Sequence, residues 1–143
     1  MIDKLAGVHP KLKRIYLSVQ AEMEKAGHPI IVTDGVRTAE EQHAAWRKGR
    51  DEHGRVIDRS KVVTDLDGYL KKSLHQLQAD GTGHAIDCAF LVNGKPSWDE
   101  SHPWPLYGSW AKSFGAKWGG DFTRLVKGER VPHPDRPHIE IRV

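Results

Sequence analysis

The stretch "HAIDCAFLV", residues 84 to 92, decides the fold: it is an apolar run of strand length broken by one carboxylate, Asp87. Asn93 and Gly94 follow it, a pair suited to a tight hairpin turn. Strand side chains alternate between faces, so Ala85, Asp87 and Ala89 share one face and His84, Ile86, Cys88 and Phe90 the other. A carboxylate between two alanines has room beside it for something bulky. Burying it alone is costly, so a cationic partner is expected there.

Working outward, residues 10 to 26 place Leu12, Ile15, Tyr16, Val19 and Met23 on one helical stripe, with Pro10 in the first turn and Gly27 just past the end. "PIIVTDG" (29 to 35) reads as a short buried strand. In "TAEEQHAAWRKG", Thr38 and Glu41 fit a capping box and Gly49 closes the helix. Residues 50 to 83 are polar and Gly/Asp-rich without a sustained period, which marks a functional or mobile loop. "WPLYGSWAKSFG" (104 to 115) is expected as a third helix, "WGGDF" through Pro137 as loop, and "HIEIRV" as a closing strand. This order predicts one α+β domain over 1–143, with a small, mostly antiparallel sheet and helices packed on it.

The chain has 143 residues, enough to bury a core. No stretch approaches the roughly 18 continuous apolar residues of a membrane span, and the first residues lack the apolar run of a secretion signal. Neither membrane insertion nor a classical export route is therefore expected. One cysteine, Cys88, excludes an internal disulfide and a Cys-rich zinc knuckle. Cys88 shares a strand face with Ile86 and Phe90, which favours a buried thiol over a nucleophile. The net charge of +3 is spread among acids, so a nucleic-acid partner is not expected. Nine histidines are unusual, and imidazole is the commonest side-chain metal ligand.

The metal candidates are concentrated in "SLHQLQADGTGHAID" (73 to 87) and "HPDRPHIE" (133 to 140). Alternation points His84 away from Asp87. Asp80, within "ADGTG", reads as a turn-capping residue. His75 lies in the preceding loop, which can fold back to Asp87. Asp135 precedes His138 by three residues, with Pro137 stiffening the approach to the last strand, while His133 reads as solvated between two prolines. Arg37 sits between a strand end and a capped helix, where a fixed guanidinium could read a carboxylate through two parallel hydrogen bonds. Of the tryptophans, Trp118 in "KWGGDF" is the one placed beside a site.

Together these motifs resemble the VanY-like D-alanyl-D-alanine carboxypeptidase family of zinc peptidases, and especially the L-alanyl-D-glutamate endopeptidases of bacteriophage endolysins. The family pattern Ser-x-His-x-x-Gly-x-Ala-x-Asp is met by Ser73, His75, Gly83, Ala85 and Asp87, and its later Asp-x-x-His by Asp135 and His138. The "TDGVRTAEEQ" and "WGGDF" segments fall in the family order. One departure stands out: seven residues, 76 to 82, separate His from Gly where the pattern has two. Either the extra residues loop out and leave His75 as ligand, or His84 or Asp80 takes its place.

The resemblance implies a hedgehog/DD-peptidase-like fold and one zinc ion held by His75, Asp87 and His138. A zinc-bound water would be the nucleophile, Asp135 the general base, Arg37 a carboxylate or oxyanion partner and Ser73 part of the site's frame. It implies a monomeric enzyme acting on peptidoglycan stem peptides, with cleavage at L-alanyl-D-glutamate; the alternative on this scaffold is D-alanyl-D-alanine cleavage. A bacteriolytic endolysin made in the cytoplasm and released to the wall through a holin-permeabilised membrane is the expected setting. A non-catalytic wall-binding module is a rival from another class, which the presence of Asp135 disfavours because binding alone needs no base.

Overall fold

The protein is described here over residues 3–143 by a computed structural model. Helix α1 (Pro10–Lys25) begins where Pro10 needs no hydrogen bond and ends before Gly27, whose φ of 83° continues no helix. Its N-cap is His9, whose Nδ1 accepts the Lys11 N–H at 3.0 Å. Strand β1 (Ile30–Asp34) leads to α2 (Ala39–Arg47), which starts with the expected Thr38/Glu41 capping box. Strand β2 (Ala85–Val92) turns through Asn93 and Gly94, both at positive φ, into β3 (Lys95–Ser97). Helix α3 (Trp104–Ser113), β4 (Lys117–Trp118), β5 (Thr123–Val126), β6 (Glu129–Pro132) and β7 (His138–Glu140) complete the chain.

The main sheet runs β1-β2-β7-β4, with β3 against the far end of β2, and every pairing is antiparallel. Beneath it, Leu12, Val19 and Met23 of α1 meet Ile86, Cys88 and Phe90 of β2 and Tyr107 and Ala111 of α3. Full burial of each large apolar side chain contributes roughly 1.5–3 kcal/mol. The faces of β2 divide as alternation requires: Ile86, Cys88 and Phe90 enter this core, leaving Asp87 on the other face.

Three expectations need correction. The span from Gly119 to Pro137 is not loop throughout: it holds a short 3-10 turn and the β5–β6 hairpin, turned by Lys127 and Gly128 at positive φ. The last strand ends at Glu140 rather than Val143, and α3 ends at Ser113, two residues early. Residues 50 to 83 do form a long connection, with one 3-10 turn at Arg59–Lys61.

Burial, assisted by the nearby Asp87 charge, pushes the Cys88 thiol up to about 12 despite its contact with Tyr107. The native thiol is therefore expected to ignore a disulfide reagent at pH 8, and to titrate as one thiol per chain only after unfolding. Rapid reaction of the folded protein would contradict that placement.

Candidate metal centre and cleft

Strand register brings the first two candidate ligands together. Asp87 and His138 are direct cross-strand partners between β2 and β7, where side chains on one face approach closely. Ala85, too small to intrude, lies opposite Glu140 on the same ladder. On the other edge β1 carries a bulge between Val32 and Asp34, which aligns Asp34 with Asp87. The Val32 N–H is satisfied by the Tyr16 hydroxyl at 3.2 Å.

His75 arrives from the long connection on a tight turn. Its N–H donates to Ser73 Oγ at 3.1 Å, and its carbonyl accepts the Arg37 N–H at 2.9 Å. The seven-residue spacer folds out as a separate small hairpin: Gln78 N–H donates to the Thr82 carbonyl at 2.8 Å, and His84 N–H to the Leu74 carbonyl at 2.8 Å, closing its base. With the spacer closed on itself, His75 reaches Asp87. Asp80 caps Thr82 and accepts from His84 Nε2 at 2.8 Å, with the His9 ring edge-on to His84 at 5.5 Å. Both residues are committed away from the cleft.

The donor atoms of His75, Asp87 and His138 all lie within 4.8 Å of one another. His75 Nε2 is 3.4 Å and His138 Nδ1 3.3 Å from Asp87 Oδ1. Neither contact has hydrogen-bond geometry, and Oδ1 is a buried oxygen without a hydrogen-bond partner. The remote ring nitrogens explain the arrangement. His75 Nδ1 donates to the Gly35 carbonyl at 2.9 Å, and His138 Nε2 to Glu140 at 2.9 Å. His75 Nε2 and His138 Nδ1 are thereby the nitrogens left facing Asp87, and such outer hydrogen bonds are how metal-binding histidines are oriented. Two imidazoles and one carboxylate whose buried Oδ1 lacks a partner fit a divalent metal ion.

Without a metal, the same groups hold one another by charge. Burial alone would raise the Asp87 pKa, but the contacts with His138 and His75 outweigh it and hold the carboxyl well below the usual range. Burial would likewise lower His138; Asp87 and Glu140 prevail and push it up to about 9. A metal ion and a proton thus compete for Nδ1. Glu140 is itself buried and paired with Arg142 Nε at 2.7 Å. Replacing Glu140 by alanine is expected to weaken metal binding about 10- to 100-fold, measured by competition with a chelator. Unchanged affinity would remove Glu140 from the site.

The cluster lies at the bottom of a cleft of about 680 Å³ that Arg37, Ser73 and Asp135 also line. Asp135 Oδ2 is 3.9 Å from His138 Nδ1. Crowding by the cleft and the Asp87 charge raise the Asp135 pKa, tempered by a side chain that keeps 56% of its surface open. Arg37 is more committed than its sequence position suggests. Nε donates to Asp34 at 2.6 Å, Nη1 to Gln42 at 2.9 Å, and Nη2 to Asp87 Oδ2 at 3.3 Å while also pairing with Asp34. One Nη1 hydrogen remains, so the two-pronged grip on a substrate carboxylate is not available. Trp118 stands outside this cleft: its Nε1–H donates to the Arg136 carbonyl at 2.8 Å, steadying the turn that carries Asp135.

Two site residues escaped the sequence reading. Glu140 shares a strand face with His138 two positions earlier, a signal that alternation could have given. Gln42, fully buried, joins Arg37 to the Thr64 hydroxyl and the Leu66 carbonyl of the far wall. Nothing local in the sequence announces that link.

No family model matches the chain. It is 25% identical to the peptidoglycan L-alanyl-D-glutamate endopeptidase CwlK of Bacillus subtilis (strain 168), across 94% of this chain and 73% of that protein. It superposes on the L-Ala D-Glu endopeptidase ChiX of Serratia marcescens with a TM-score of 0.61 at 22% identity, covering 97% of this chain and 84% of the other. A zinc-bound vancomycin-resistance D,D-pentapeptidase, VanY, gives a TM-score of 0.63 at 15% identity, over 99% and 78%. The fold is the α+β fold of these peptidases.

Proposed function

We propose, from the premise that this chain belongs with the VanY-like zinc peptidases in fold and in sequence, that it is a zinc-dependent peptidoglycan peptidase cutting the L-alanyl-D-glutamate bond of stem peptides. The observation that carries the reading is the His75/Asp87/His138 cluster, with both imidazoles held from behind and Asp135 beside it. When bound, a zinc ion supplies Lewis acidity toward a carbonyl and makes a water more acidic, and three protein ligands leave it a fourth position.

The chain's own residues do the rest. Asp135 takes a proton from the attacking water and returns it to the departing amine nitrogen. Arg37 orients Asp87 through its Oδ2, and its one remaining N–H suits a single hydrogen bond to the developing oxyanion. Ser73 holds the backbone of His75. The bond specificity is supported by the activities named for CwlK and ChiX. Cleavage at D-alanyl-D-alanine is the second reading, favoured by the likeness to VanY. A role in phage lysis, outside the cytoplasm, is part of the same proposal.

Digestion of purified muropeptides, with the new N-terminus identified by mass spectrometry, tests this directly. A new N-terminal D-glutamyl residue is expected. Release of terminal D-alanine alone would transfer the assignment to the second reading.

A further inference from the structure

Three cations line the cleft: Arg37, Lys72 and Arg142. Arg37 is held by Asp34 and Asp87, and Arg142 by Glu140. Of these three, Lys72 alone has no ion-pair partner among the described residues, and its side chain is exposed. It stands one residue before Ser73, which frames His75.

The wall around Lys72 is fixed rather than loose. Gln42 Nε2 donates to the Leu66 carbonyl at 2.9 Å, Arg50 to the Thr64 carbonyl at 3.0 Å, and buried Gln76 to the Gly68 carbonyl at 3.0 Å. This wall presents Val63 and Leu66 as apolar surface and Lys72 as an unpaired cation. It suits a ligand with a small apolar side chain next to a free carboxylate. Solvating an ammonium costs nothing, so a lone lysine is ordinary on a surface; in a cleft whose other cations are neutralised by the protein, it is the charge left for the substrate.

We propose that Lys72 is a specificity-determining residue, its ammonium taking the free carboxylate on the residue that follows the cut bond. The inference rests on the peptidase reading above and moves the carboxylate contact from Arg37, which is already committed, to Lys72.

The test uses two stem peptides that differ only on the D-glutamyl α-carbon, one with the free carboxylate and one with the carboxamide. Wild type is expected to show a KM about fivefold lower for the carboxylate, the range of an exposed charge pair. Lys72→Ala should erase that preference by raising KM for the carboxylate peptide alone, with kcat unchanged, and Lys72→Arg should restore it. High salt should narrow the wild-type gap. Equal KM values in wild type, or a Lys72→Ala effect equal on both peptides, would overturn the assignment. A wild-type protein that cuts neither peptide at this bond refutes the functional reading itself, and the role of Lys72 with it.

Discussion

Replacing His75 by alanine is expected to remove bound zinc, from about one ion per chain to near none, and to reduce peptide cleavage about a thousandfold or more. His84→Ala should change neither. The contrast follows from which way each ring is held. His75 is buried with Nδ1 tied to the Gly35 carbonyl, so Nε2 has only the Asp87 oxygen and the cleft before it. His84 begins on the opposite strand face and spends Nε2 on Asp80 at 2.8 Å. Removing one of three ligands leaves an imidazole and a carboxylate, too few for a closed three-point hold. A rate loss of that size is about 4 kcal/mol of barrier, within what Lewis-acid stabilisation of a developing charge supplies. Zinc held by these three residues would bind only the folded chain, so added zinc should also raise the wild-type melting temperature and leave that of His75→Ala unmoved. Zinc retained in His75→Ala and lost in His84→Ala would place the ligand on the far side of the spacer and dissolve the proposed site.

Which parts of this site were legible depended on how local their causes are. Alternation in residues 84 to 92 put Asp87 on the face away from the core, and the structure keeps it there, with Ile86, Cys88 and Phe90 buried beneath. The capping box of α2 is a matter of four residues and was equally readable. The β5–β6 hairpin was not: its strands are exposed on both faces, so no apolar period marks them, and Lys127–Gly128 is a weaker turn signal than Asn–Gly. Arg37 is legible as a fixed guanidinium at a strand end, but its ties to Asp34, Gln42 and Asp87 are not. The bulge that brings Asp34 level with Asp87 depends on pairing between segments over fifty residues apart. Gln42 was invisible for the same reason, its partners lying 22 and 24 residues along the chain.

Asp135→Ala should leave zinc content and folding intact while lowering kcat by about 10²- to 10⁴-fold, the usual contribution of a positioned general base. The turn that carries it survives loss of the carboxylate, because its backbone is held by other groups. Asp135 N–H donates to the Gly119 carbonyl at 2.7 Å, Trp118 holds the Arg136 carbonyl, and Tyr107 Oη and Cys88 N–H donate to the Pro137 carbonyl at 2.8 and 3.0 Å. Gly119 permits the first of these contacts, since a Cβ there would overlap the Asp135 carbonyl oxygen. None of the three metal donors is removed, so His138 keeps its Glu140 partner and its aim at Asp87. The carboxylate itself forms no bond that structure requires: it stands 3.9 Å from His138 Nδ1, more than half open to the cleft. A carboxylate so placed, its pKa raised by burial and by the Asp87 charge, faces the cleft with little else to do. Asp135→Asn, equal in size but unable to accept the proton, should be as impaired as alanine. Full activity in either variant would assign the proton transfer elsewhere. Loss of zinc together with activity would instead make Asp135 part of the metal's own shell.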